Sequence, residues 1–251
     1  MRRKGMQSAC AECKVFACSS GRLDALPANC PMRAAEGMIT DTRPLLADPA
    51  ISKLARTSAL VEAEGYCRWT RVEEVMEFAR RLGVSRLGVA FCVGLKEEAR
   101  LLNRVLVANG FEVVSVACKT GSIPKEEIGI ADDEKVRPGT YEATCNPIGQ
   151  ARVLNEAETG LNLIVGLCVG HDSLFIKHSQ APVTCLIAKD RVLAHNPVGA
   201  LYCSNGYYRQ RLFHRHSERS EGAAAPALSR HSERREESVA LKADSSASAS
   251  E

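Results

Sequence analysis

The sequence predicts an α/β protein in which a mainly parallel sheet is flanked by helices. Strand-like and helix-like segments alternate between residues 86 and 195, and this alternation is typical of βαβ units. A cysteine-rich stretch, residues 10–31, lacks aliphatic periodicity, and the chain ends in repetitive, Ser/Ala-rich sequence. We therefore predict a cysteine-rich, loop-like N-terminal module over residues 1–33, an α/β domain over 34–208 and a disordered low-complexity tail over 209–251.

Helical patterns precede the first strand. Apolar positions in residues 44–64 indicate one or two helices, and a clearer helix is predicted over residues 70–82. Thr70 and Glu73 have the spacing of a capping box, and the apolar residues after them recur every three or four positions. The helix is therefore expected to begin at Thr70.

The βαβ pattern itself begins at residue 86. We predict a strand over residues 86–92, a helix over 95–109 closed by Gly110, and a second strand over 111–118. A helix of this length between strands implies a right-handed crossover and parallel pairing. The remaining predicted elements are a long connection (119–144), a helix opened by Asn146 and Pro147 that ends near residue 158, a strand (162–168), a short helix capped by Asp172 (to residue 178) and two strands (183–188 and 191–195).

Composition and charge exclude several classes of function. A formal net charge of +3 is too small to favour nucleic acid or an anionic membrane as a partner. The basic start MRRKGMQSAC is not followed by the apolar segment of a secretory signal, and no apolar run is long enough to span a bilayer. We therefore expect a cytoplasmic protein, whose eleven cysteines serve as metal ligands, redox groups or buried side chains rather than disulfides. The pattern predicts no particular oligomeric state.

Four cysteines cluster near the N terminus. Cys10, Cys13, Cys18 and Cys30 follow the spacing C-x2-C-x4-C-x11-C, and Pro31 comes directly after the last. Thiolates select zinc or iron–sulfur clusters over hard cations, and a metal would supply folding energy that this coreless segment lacks. The single close pair differs from the two pairs of structural zinc sites, and the spacing matches neither standard ferredoxin pattern. The sequence predicts a metal site here, with zinc or an iron–sulfur cluster left open and a redox pair as the alternative.

A second group of cysteines is predicted at one edge of the sheet. Cys92, Cys118 and Cys168 stand at the carboxyl ends of predicted parallel strands, and Cys145 directly precedes a predicted helix. Ligands bind at this edge of parallel sheets, where helix N termini favour thiolates. We therefore predict that the four thiolates converge on one cleft as a second metal-binding group. Three glycines that allow close approach of a ligand follow these cysteines: Gly94, Gly121 and Gly170.

Two other functions fit the same residues. The sequence G-x-C-x-G around Cys168 has the pattern of a hydrolase nucleophile elbow with Cys in place of Ser. Cys168 would then serve a cysteine-dependent hydrolase or transferase, with His171 or His195 and Asp190 as partners. His171 and Asp172, which follow the third strand, are candidates for substrate contact or for orienting metal ligands. The other alternative is a zinc-stabilised protein that binds a small molecule. Its partner would be that small molecule, whereas a redox-active metal protein would need a redox partner.

The cysteine motifs together give a resemblance to a known family. They read CAECKVFAC…CPM, FCVGL, CK, CNPIGQA, GLCVGHD, AP and KDRVLAHNP, and they extend over roughly residues 10–208. The chain resembles a microbial family of uncharacterised metal-binding proteins that carry the domain of unknown function numbered 1847. The resemblance implies metal binding through the cysteine-rich segments and brings no established reaction. The C-terminal tail lies outside it.

Overall fold

The computed structural model describes residues 10–34 and 36–213, and within them the α/β prediction is confirmed. Four strands form one sheet in which every pair is parallel, in the order β2-β1-β3-β4. Their bounds are β1 (Arg86–Phe91), β2 (Glu112–Ala117), β3 (Leu161–Val165) and β4 (Val183–Ile187). β2 lies next to one edge of β1, and β3, the next strand in the chain, lies next to the other edge of β1. The strand connections therefore change direction between β1 and β3.

Ten α-helices belong to the described residues. They are α1 (Pro31–Ala34), α2 (Glu36–Thr40), α3 (Arg43–Leu46), α4 (Pro49–Gly65), α5 (Arg71–Leu82), α6 (Lys96–Ala108), α7 (Pro147–Glu156), α8 (His171–His178), α9 (Val198–Tyr202) and α10 (Arg209–Phe213). Thr70 caps α5, and the predicted capping box with Glu73 is confirmed. No described helix combines the length and the apolar character that crossing a bilayer requires.

The core lies on and around the central strands. All five residues of β3 are buried and the middle of β1 is buried too, as expected of parallel strands covered by helices on both faces. Helices α5 to α8 each add buried side chains to this core. The largest fully buried apolar side chains are Phe175, Leu87, Leu95, Leu106, Leu154, Leu161, Leu163 and Ile164.

One buried amide joins α7 to the carboxyl edge of the sheet. Gln150 is fully buried, and its Nε2 donates hydrogen bonds to Val116 O at 2.7 Å and to Phe91 O at 3.2 Å. These carbonyls belong to the ends of β2 and β1, so the helix is fixed against that edge. The predicted start of α7 is also confirmed, because Asn146 Oδ1 accepts a hydrogen bond from Gly149 N at 2.8 Å.

Two local predictions are wrong. Residues 191–195 form turns, not a strand, because Asp190 Oδ1 accepts hydrogen bonds from Val192 N and Leu193 N, both at 2.8 Å. A short polar side chain that bonds to nearby backbone amides competes in this way with a strand ladder. Asp172 does not cap α8; Gly170 is the N-cap and Asp172 lies in the first turn.

The described residues group into two compact units, one that ends at Asn196 and one that begins at Pro197. The sheet and α1 to α8 belong to the first unit, and α9 and α10 to the second. The predicted boundaries after residues 33 and 208 stay predictions. Of the predicted disordered tail, the first five residues form α10, and residues 214–251 lie outside the described part of the chain.

Candidate metal site

The carboxyl ends of β1, β2 and β3 bring cysteines to one edge of the sheet. Cys92 N donates to Val165 O at 3.1 Å, which continues the β1–β3 pairing by one residue. Cys118 N donates to Phe91 O at 2.9 Å, which does the same for β2 and β1. The two cysteines therefore leave the sheet side by side. The strand connections change direction here, and ligands bind at such switch points in open α/β sheets.

Three thiols at this edge form a row. The Cys118 thiol lies between those of Cys92 and Cys145 and interacts with both, and Val93 N donates to Cys118 Sγ at 3.4 Å. Cys92 and Cys118 are buried, whereas Cys145 is half-buried. Cys145 enters the row because Asn146 N donates to Cys118 O at 2.7 Å, which holds the start of α7 against the end of β2.

The three thiols in this row have pKa values that are shifted in different directions. Hydrogen bonding from Cys118, helped by Lys189 and the Gly94 amide, lowers the pKa of Cys92 to about 4 although burial opposes ionisation. The pKa of Cys145 falls to about 5, first because of Cys118 and then because of the charges of Lys119 and His171. Hydrogen bonding to Cys145 and Cys92, together with burial, raises the pKa of Cys118. The surroundings thus favour ionisation of Cys92 and Cys145 over that of Cys118.

A compact set of three donors adjoins this row. Cys145 Sγ, Cys168 Sγ and a ring nitrogen of His171 all lie within 4.8 Å of one another. Metal bonds of about 2.0–2.3 Å to nitrogen and sulfur require tetrahedral ligand atoms to lie about 3.5 Å apart. His171 Nδ1 is buried and has no hydrogen-bond partner among the described residues. The donor types and the spacing therefore fit one zinc-like ion.

Two basic side chains face the thiols from the chain after β4. Lys189 Nζ donates to Cys92 Sγ, and Arg191 donates to Cys168 Sγ at 3.1 Å. The turn at Asp190 positions both residues at the edge of the sheet. The sequence prediction missed them, because it placed Lys189 in the connection between two strands (183–188 and 191–195) and Arg191 in the second of these strands. The basic residues in KDRVLAHNP, next to a predicted thiolate edge, were the available signal.

The other predicted site residues have varied surroundings. Nδ1 of His195 accepts a hydrogen bond from Asp190 N at 3.2 Å, which ties the ring to its own turn. Asp172 Oδ1 accepts a hydrogen bond from Ser173 N at 2.8 Å. Burial raises the pKa of Cys185, and the negative charge of the Asp172 carboxylate raises it further. Their roles as catalytic or substrate-contact residues stay predictions.

The three predicted glycines also differ in position. A Cβ on Gly94 would lie 3.9 Å from both Cys92 Sγ and Lys189 Nζ, so this glycine lies beside the ion pair. Gly121 adjoins the Asn146 side chain, and open space surrounds the position of a Cβ on Gly170. Gly94 is thus the glycine nearest to the thiols, and a cofactor-binding role for the three stays a prediction.

The N-terminal cysteines line one cavity of about 370 Å³, to which Cys10, Cys13, Cys18 and Cys30 all contribute. Within the described residues, Cys145, Cys168 and His171 are the one set of three such donors that all lie within 4.8 Å of one another. No three of the N-terminal sulfurs lie as close together, although all four line the same cavity. Their role as metal ligands stays a prediction.

These features define a parallel α/β protein with a thiol-rich switch-point edge. The chain belongs to the family described as "Protein of unknown function (DUF1847)", whose model matches residues 30–186. It is also 49% identical over 160 residues to "Uncharacterized protein MJ0455" of Methanocaldococcus jannaschii, over 64% of this chain and 80% of the relative. No solved structure matches the chain. The predicted family is confirmed, and its description assigns no function.

Proposed function

We propose that the protein binds a transition-metal ion, preferably zinc, through Cys145, Cys168 and His171 at the carboxyl edge of the sheet. The observation that carries this proposal is the mutual spacing of the three donor atoms, all within 4.8 Å. The buried His171 Nδ1, which has no hydrogen-bond partner in the described chain, supports it because a buried ring nitrogen without a partner is costly. Thiolate and imidazole donors together favour zinc over magnesium or calcium.

The chemistry of the site supports an incompletely filled coordination shell. Three protein ligands leave one position of a zinc tetrahedron for water or a small molecule, as in catalytic zinc sites. Cys118 adjoins Cys145 but does not belong to the set of three donors that lie within 4.8 Å of one another. In this proposal Cys118 and Cys92 support the site through hydrogen bonds, and Lys189 and Arg191 balance the negative charge of the thiolates. A small molecule is the partner that fits the open position.

A reducing compartment would keep these thiols available for metal, so we place the protein in the cytoplasm.

A second candidate function rests on the ion pair of Cys92 and Lys189. A thiolate that exists at neutral pH is a nucleophile, and the pKa of Cys92 is about 4. In a cysteine-dependent hydrolase or transferase, this geometry favours Cys92 over Cys168 with His171 or His195. Cys92 is 6% exposed and contacts Lys189, so a substrate would reach it only after neighbouring groups moved.

The test is a metal titration of the full-length chain after chelation and reduction. Cobalt would report thiolate coordination through its visible and charge-transfer absorption, and zinc would displace it. The Cys145→Ser and His171→Ala variants should each bind one cobalt ion fewer than the intact protein. Cys185→Ser, on β4, is the matched control and should bind as the intact protein does. Unchanged cobalt spectra in both site variants would contradict the proposal. If the protein took up no metal and Cys92 were hyper-reactive, the cysteine-dependent hydrolase or transferase would be favoured.

A further inference from the structure

The four N-terminal cysteines surround a common space although they are spread over residues 10–30 of the sequence. This segment has no core of its own. Cys10 begins a one-turn 3-10 helix (Cys10–Glu12) and Cys13 directly follows it, where Cys13 N donates to Cys10 O at 3.1 Å. A 3-10 turn over Ala17–Ser20 carries Cys18, and Cys30 directly precedes α1. All four line the cavity of about 370 Å³, together with Phe16 and Leu26. Four thiols and two apolar side chains thus border one space.

The spacing of these sulfurs argues against a single zinc ion. Zinc–sulfur bonds of about 2.3 Å place the four sulfurs of a tetrahedral site about 3.8 Å apart. In the described part of the chain, no three of the N-terminal sulfurs lie within 4.8 Å of one another, whereas Cys145, Cys168 and His171 do. Sulfurs that surround a polynuclear iron–sulfur cluster lie farther apart, because several iron atoms and inorganic sulfides separate them. Four sulfurs around one cavity, no three of them within 4.8 Å of one another, fit a polynuclear cluster better than one zinc ion.

The backbone around the cavity provides the hydrogen bonding that clusters use. Phe16 has a left-handed conformation, with φ 44° and ψ 38°, and its N–H donates to Cys13 Sγ at 3.4 Å. Left-handed backbone is costly for a residue with a Cβ, by about 1–2 kcal/mol, so packing or a ligand must hold it. Amide hydrogen bonds to cysteine sulfur and an apolar wall are the means by which proteins tune iron–sulfur clusters.

The same segment has little of its own packing to maintain this conformation. Among residues 10–33, Ala17 is the one buried residue, and Phe16 is 52% exposed. A ligand that joins four positions would replace the missing core, as metals do in small metal-dependent modules.

We propose that the N-terminal cavity holds a polynuclear iron–sulfur cluster ligated by Cys10, Cys13, Cys18 and Cys30. This site shares no residue with the edge site of Cys145, Cys168 and His171. It does not depend on the function proposed for that edge.

The experiment measures iron, acid-labile sulfide and zinc in the full-length protein after anaerobic purification and reconstitution with iron and sulfide. We expect stoichiometric iron and sulfide and a broad visible absorption. Dithionite should bleach this absorption by donating one electron to the cluster. In Cys13→Ser the iron and the absorption should fall several-fold. They should persist in Cys67→Ser, which removes an exposed thiol outside the cavity.

Two outcomes would overturn the proposal. Reconstituted intact protein that contains zinc but no iron and no visible absorption would assign a zinc site. This result does not depend on whether Cys13→Ser folds. A cluster that persists in Cys13→Ser but disappears in Cys145→Ser would place the cluster at the edge site. Zinc binding lost in Cys145→Ser with the cluster intact would leave this proposal standing and support the edge site independently.

Discussion

Cys118 is the thiol on which the charges of its neighbours depend. Its hydrogen bonding is the largest cause of the lowered pKa values of both Cys92 and Cys145. The pKa of Cys118 itself is raised, so the row does not ionise uniformly. Lys189 and Arg191 offset part of the negative charge of the thiolates from the other side. Sulfur reactivity at this edge is therefore set by hydrogen bonds before any metal binds.

The first prediction concerns Lys189→Met in metal-free, reduced protein. The pKa of Cys92 is lowered from 9.0 to about 4, so its thiolate stabilises the fold fully above pH 9 and progressively less as the pH falls towards 4. Without the ammonium group this pKa should rise, because one charged hydrogen bond of about 1.5 kcal/mol is lost. Urea unfolding should show a loss of about this size at pH 8 and a smaller loss below pH 5. Lys177→Met, at an exposed site on α8, is the control. If Lys189→Met lost the same stability at pH 8 as below pH 5, Lys189 would not be a cause of the lowered pKa of Cys92.

At the scale of elements, apolar patterning predicted the strands and the helices between them. β1 and β3 are buried runs, and the cysteines that follow them were predicted at the carboxyl edge because parallel strands end together. The failure at residues 191–195 has a local cause, since the Asp190 side chain bonds to two backbone amides that a strand would use. Pattern alone could not predict the pairing of Lys189 with Cys92, because 97 residues separate them.

The second prediction concerns the turn between β3 and Cys168. Gly166 has φ +64°, and an added Cβ would lie 2.5 Å from Leu95 Cδ2 in the buried core. Gly166→Ala should therefore combine backbone strain with overpacking and lower the free energy of unfolding by about 3 kcal/mol. It should also weaken zinc binding, because the displaced turn carries Cys168.

Gly83→Ala separates the two causes in that experiment. Gly83 also has positive φ, at +76°, but open space surrounds the position of its Cβ. This control should lose only about 1 kcal/mol of stability and keep its zinc affinity. The free energy of unfolding is measured with urea. An equal loss in Gly166→Ala and Gly83→Ala would show that the contact with Leu95 contributes nothing to the cost of Gly166→Ala.

At the scale of the whole molecule, the family match and the thiols overlap only in part. The match over residues 30–186 includes Cys30 and the four cysteines of the edge. It ends before Lys189 and Arg191 and begins after three of the N-terminal cysteines. The edge donors Cys145, Cys168 and His171 therefore belong to the part shared with the family. The N-terminal cavity and the basic residues after β4 extend beyond the matched segment, so variants of the two sites test separate parts of the chain.

The last prediction links the edge metal to the stability of the whole fold. The donors come from the start of α7, the segment after β3 and the start of α8, so one ion would connect elements that must all be folded to bind it. A ligand that binds the folded state alone at 100 times its Kd stabilises it by about 2.7 kcal/mol. Urea unfolding of chelated protein should show this gain when zinc is added. Cys185→Ser should keep the gain and Cys145→Ser should lose it. A gain that persists in Cys145→Ser would assign the zinc to other residues, because a set of three donors that loses one thiolate no longer holds the ion with comparable affinity.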